Sequence, residues 1–174
     1  MTFFIAVAAT NLFHQGNWQR VYAAKNFEIA IQDSKDLLDC YDSINKRTPH
    51  SAPEALKRAA LIMILTAWET YVEDRVSEVL DVKFGILKGS PIGDFVERKL
   101  ADELKFFHNP NSLKTKKIFM DFAGVDVTIK WTWANVDSEQ ARAQLNSWLS
   151  KRGDAVHRAR LIKSEPHIVK REEL

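Results

Sequence analysis

The sequence holds one cysteine, six glycines and five prolines among 174 residues. The lone Cys40 excludes an internal disulfide, fits a reducing compartment and reads as a small buried residue. So little glycine and proline leaves few turn signals, which argues against a many-stranded sheet protein and for helices. No apolar run approaches the ~18 residues that cross a bilayer, so no membrane partner is expected and the cytoplasm is the default location. The opening MTFFIAVAAT carries a short apolar run without a positively charged start, which is not the pattern of a secretory leader. The five histidines show no metal-ligand spacing with cysteines or acids, no glycine loop is built to cradle phosphate, and no Ser-His-acid motif occurs. Neither a metal nor an organic cofactor is expected.

What is present describes a folded chain. Hydrophobic residues at 45% and charged residues at 28% place it among globular proteins, and the length suits one domain with a proper core. We divide it into an N-terminal extension, 1–17, and a helical domain, 18–174. The net charge of +2 conceals an asymmetry: between Arg142 and Arg171 stand eight Lys/Arg against Asp154 and Glu165, so the rest of the chain is net acidic. Such a segment reads either as a phosphate-facing surface or as a solvated helix face.

Periodicity predicts a bundle of four to five helices. The first runs from about Trp18 to Asn45, with Phe27, Ile31, Ser34 or Lys35 and Leu38 in helical register. The second opens at Ser51, where Ser51 and Glu54 have capping-box spacing, and reaches about Val82. Its AALIMILTAW is apolar on every side, as expected of a surrounded central helix. FGILKGSPIGD reads as a loop before a helix near Phe95–Leu104, FFHNPN as a second break, and Ser112–Phe122 as a short helix stopped by Gly124. VDVTIKWTW alternates but lacks a partner strand, so it reads as an extended connection carrying Trp131 and Trp133. The last helix begins at Asp137, where Asp137 and Gln140 have capping-box spacing, and extends to about Ile162.

The candidate chemistry lies on that last helix, in SKRGDAVHRAR (150–160). On a helical wheel Leu145, Trp148, Leu149, Ala155 and Val156 all fall within about 60° of Arg152, so the arginine sits inside the apolar stripe. An unpaired guanidinium is costly there; it needs a carboxylate, a cleft or a second subunit. Glu69, among Ile62, Leu65, Val72 and Val76 on one face of the central helix, is the candidate carboxylate. His157 lies about 140° from Arg152, so one straight helix does not aim both at a single point. Either Gly153 loosens the helix, or two such pairs meet across the interface of a homodimer. A second pair, Arg160 and His167, is separated by the helix-breaking Pro166.

AWETYVED (67–74), FHNPNSLKTKKIFMDFAGVD (107–126), the Trp-bearing connection and LNSWLSKRGDAVH (145–157), in this order, resemble the RiboL-PSP branch of the HEPN superfamily over roughly residues 20–171. The resemblance implies an all-α HEPN-like bundle, commonly dimeric, in which Arg-x4–6-His motifs of two subunits form a metal-independent ribonuclease site. It implies Arg152 and His157 as catalytic residues and RNA as the substrate. It further implies a toxin of a toxin–antitoxin or phage-defence system, with a cognate antitoxin protein as partner. Glu69 and Asp154 are the candidate supporting residues, and Lys151, Arg158 and Arg160 of the basic segment the candidate RNA contacts. Two features depart from the family pattern. Gly153 follows the arginine where Asn or another polar residue is common, and PHIVKREEL reads as the opening of a closing helix. The alternative is a non-catalytic HEPN-like module that binds RNA or protein.

Overall fold

The structure, a computed structural model, describes residues 22–47, 51–133, 135–157 and 170–174, without the side chains of His157 and Glu173. Among the described residues there are five helices, α1 (Tyr22–Asn45), α2 (Ala55–Phe84), α3 (Pro91–Leu104), α4 (Ser112–Ala123) and α5 (Ser138–His157). Short 3-10 turns occupy Gly85–Leu87, Val127–Lys130 and Arg171–Glu173. Among the described residues there is no strand, only an isolated bridge between Trp133 and Val136. The bundle is all-α.

Helix α2 is the axis because its apolar residues recur on most of its circumference. Leu61, Ile64, Leu65, Trp68, Tyr71, Val72 and Val76 are all at most 1% exposed. Helix α1 runs antiparallel along it and buries Ala23, Phe27, Ile31, Ser34 and Leu38, the helical stripe that periodicity predicts. Near one end Ala23 N–H donates to Glu78 Oε1 (2.8 Å), and further along the Ser34 hydroxyl donates to Ala60 O (3.0 Å). Phe27 meets Tyr71 with ring centroids 5.3 Å apart. Helices α4 and α5 also pack on α2. The connection between them sends the fully buried Trp131 edge-on to Trp68, centroids 5.7 Å apart. Burying each of these large rings contributes roughly 1.5–3 kcal/mol.

Several local expectations change. The Ser51–Glu54 capping box does not form: α2 starts at Ala55, and Glu54 makes no capping bond. Its carboxylate instead pairs with Lys57 (2.9 Å) and accepts from Tyr41 Oη (3.3 Å). Helix α3 begins earlier than expected, because Ser90 accepts from Gly93 N–H and Pro91 fits the first turn. The alternating VDVTIKWTW is not extended throughout; Asp126 caps a 3-10 turn over Val127–Lys130. Cys40 is exposed rather than buried, since it falls on the solvent side of α1. By contrast, α5 has its reciprocal cap: Gln140 N–H donates to Asp137 Oδ1 (2.8 Å) and Asp137 N–H to Gln140 Oε1 (3.1 Å). Residues 18–21 of the first helix and 158–162 of the last lie outside the described residues, as do Arg160 and His167 of the second pair. At the C-terminus Arg171 forks onto both carboxylate oxygens of Asp42, and Leu174 is buried.

Candidate functional site: a guanidinium held at the bundle surface

Helix α5 passes unbroken through Gly153, which is exposed and has open space around the position a Cβ would take. Glycine therefore does not loosen the helix here. Ala141 and Leu145, on the same face as Arg152, are at most 1% exposed, so the face sinks into the core towards its start. Towards its end Ala155 stays buried at 9% while Val156, on the other edge of the stripe, is 54% exposed, so that edge emerges at the surface. Arg152 stands where the two regimes meet.

Its guanidinium is held from two sides. Nη1 donates to Glu69 Oε2 (3.2 Å) on α2 and to Asn109 Oδ1 in the α3–α4 loop. Nη2 donates to Thr66 Oγ1 (3.2 Å), whose own proton is directed at Ile62 O one turn back (2.9 Å). Arg152 and Glu69 side chains are each 18% exposed, so the ion pair is partly desolvated and less screened than a surface pair.

The loop FHNPN is anchored by the same carboxylate. Asn109 N–H donates to Glu69 Oε2 (2.9 Å), and His108 Nδ1 lies 3.4 Å from Glu69 Oε1. Asn109 is left-handed at φ 52°, a conformation that Asn tolerates better than most residues. Behind it, Trp68 Nε1 donates to Pro110 O (3.0 Å), Lys114 Nζ to His108 O (2.6 Å), and Ser112 N–H to Asn146 Oδ1 on α5 (3.0 Å). Asn111 then caps α4 by accepting from Lys114 N–H. One turn beyond Glu69, burial raises the Glu73 carboxyl above its ordinary value. The charges of Glu69 and Asp74 add to this, and His108 opposes it.

Of the residues singled out from sequence, Arg152 and Glu69 come together. Lys151 and Asp154 flank Arg152 on α5, half-buried. The His157 side chain, Arg158 and Arg160 lie outside the described residues. Sequence reasoning missed Thr66, His108 and Asn109. The Asn-Pro pair at 109–110 marked a turn, but nothing in one sequence ties that turn to Glu69, 40 residues earlier.

The model of the RiboL-PSP-HEPN family matches residues 29–174, which contain every residue of this cluster. The chain belongs to that family. No curated protein and no solved structure matches it. Membership of a HEPN domain family points to a ribonuclease-like or RNA-binding function. Arg152 suits that ligand: Nε and one Nη2 hydrogen have no acceptor among the described residues, and a guanidinium fork matches phosphate oxygens.

Proposed function

We propose that the protein is a metal-independent endoribonuclease of HEPN type that cuts single-stranded RNA. In this reading it is the toxin of a toxin–antitoxin or phage-defence system, with a cognate antitoxin as protein partner. It acts as a homodimer of the helical domain, 18–174. The observation that carries the reading is the placement of Arg152: a guanidinium fixed by Glu69 where an apolar helix face reaches the surface, five residues before His157 on the same helix.

The substrate's own 2′-hydroxyl is the nucleophile. It attacks the adjacent phosphorus, the bond to the 5′-oxygen breaks, and the products are a 2′,3′-cyclic phosphate and a 5′-hydroxyl. This needs one base, one acid and a cation for the phosphoryl oxygens, and no metal-bound water. An imidazole ordinarily titrates near neutrality, and in this reading the His157 ring serves proton transfer. Arg152 stabilises the charge on the phosphoryl oxygens. Lys151, Arg158 and Arg160 hold the flanking RNA backbone, and Asp154 supports the motif helix.

A second reading keeps the RNA and drops the chemistry. Arg152 already serves three acceptors of its own chain, which is what a structural arginine in a binding module does. Cleavage assays with EDTA present decide between the two. The ribonuclease reading expects wild-type protein to cut single-stranded RNA and spare the 2′-deoxy analogue. It expects His157→Ala to lose about 10²–10⁴-fold in rate at unchanged melting temperature. Tight RNA binding by a wild-type protein that leaves every RNA intact supports the module.

A further inference from the structure

Glu69 uses its two oxygens differently. Oε2 is taken up by Arg152 and the Asn109 N–H, while Oε1 is turned to His108 Nδ1. The His108 side chain is 70% exposed, and its other nitrogen, Nε2, has no partner among the described residues. An imidazole is therefore presented to solvent beside the guanidinium, from one chain and on one carboxylate.

This placement is enforced. The left-handed Asn109 is held by its surroundings. Here Glu69 takes its N–H, Trp68 holds Pro110 O and Lys114 holds His108 O. Besides holding Arg152 through Asn109, the loop sets His108 on the carboxylate that Arg152 shares.

The position answers a geometric need. On the unbroken α5, His157 departs about 140° from Arg152 around the helix axis. Cleavage through a 2′-hydroxyl requires two proton transfers, one on either side of the phosphorus. His108 supplies an imidazole on the side of Arg152. The groups that face it are Glu69 and Glu73 from α2, Arg152 from α5 and Lys114 from α4. As an imidazolium with Nδ1–H given to Glu69, the ring keeps its Nε2–H as the proton left to donate.

We propose that His108, oriented by Glu69, is a second catalytic residue of this site, the general acid that protonates the leaving 5′-oxygen. The assignment rests on the ribonuclease reading above. In the step, His157 takes the 2′-hydroxyl proton as the O2′–P bond forms. The P–O5′ bond breaks, and the departing oxygen takes the Nε2 proton of His108. One proton leaves the substrate and one is returned, so no oxidant, reductant or third reactant enters.

The test uses the full chain, an oligoribonucleotide, and the same oligonucleotide with sulfur bridging the 5′ position of the scissile bond. A thiolate leaves without protonation and makes a general acid dispensable. His108→Gln and His108→Ala should melt as the wild type does, because the side chain is exposed. Both should lower kcat about 10²-fold on the oxygen substrate with little change in KM, and lose the alkaline limb of the rate profile. On the sulfur substrate both should cut at the wild-type rate, which a merely structural role does not predict. Oxygen-substrate cleavage at the wild-type rate, or a loss that sulfur fails to restore, overturns the role of His108 and leaves the ribonuclease reading standing. Wild-type protein that cuts neither substrate overturns both.

Discussion

At the scale of the residue, Glu69 closes the site. It receives Arg152, the Asn109 N–H and the approach of His108, all on a carboxylate 18% exposed. Glu69→Ala strands a partly desolvated guanidinium and an amide in a strained turn. Breaking a fully buried pair costs about 3–5 kcal/mol; solvent reaches this one, so roughly 2–3 kcal/mol is expected. Glu103→Ala, on the exposed side of α3, should stay within about 0.5 kcal/mol of wild type. Urea unfolding of the two variants checks this, and equal midpoints would remove Glu69 from the account. Glu78 is no suitable control, although in sequence it reads as a surface acid. Its carboxylate is 12% exposed and holds both the Ala23 N–H and Arg75. The difference comes from α1 crossing at that point, which no local pattern announces.

At the scale of the element, the connection after α4 shows how local chemistry overrides a pattern. Val127, Ile129 and Trp131 alternate with polar residues as a strand would. Yet Asp126 Oδ1 accepts both the N–H (3.0 Å) and the hydroxyl (2.7 Å) of Thr128, and this curls the chain into a 3-10 turn. Lys116 Nζ pairs with its other oxygen at 2.7 Å. Burial alone would raise the Asp126 carboxyl, but the bonds from Lys116 and Thr128 outweigh it and hold the group below its ordinary value. A carboxyl depressed in the folded state stabilises fully above its unfolded pKa of about 3.9 and loses that contribution as pH falls through the folded value. Wild type should therefore exceed Asp126→Asn in stability near neutrality, and the gap should narrow as pH falls below about 4. A gap that widens with acid would contradict the assignment. The same contrast runs through the fold. The stripe of α1, the encirclement of α2, the stop at Gly124 and the Asp137–Gln140 cap were legible, because each depends on residues a few positions apart. The need of Arg152 for a carboxylate was legible too, since the stripe around it is apolar. The start of α2 and the roles of Thr66, His108 and Asn109 were not, because each is decided by a side chain from a distant element.

At the scale of the whole molecule, the helix that carries Arg152 and His157 is the basis of the proposed homodimer. Gly153 does not break α5, so under the proposed ribonuclease reading convergence of this pair calls for a second copy of the chain. The face between the two residues suits that role. Val156 is 54% exposed next to the motif, and Gly153 offers open space in which a neighbouring backbone can approach closely. A C2 dimer about this face brings two copies of the motif to one axis, with each Arg152 held by its own Glu69. In the proposed mechanism His108 is the acid within each chain and His157 the base near the axis. Light scattering at micromolar concentration should return twice the chain mass of 20.0 kDa. Val156→Glu places a charge in the apolar contact of both copies, and like charges across a two-fold axis oppose association. That variant should sediment as a folded monomer and lose RNA cleavage while its Arg152–Glu69 pair stays intact. A wild-type monomer that cleaves RNA, or a Val156→Glu monomer as active as the wild type, would show instead that one chain holds the complete site.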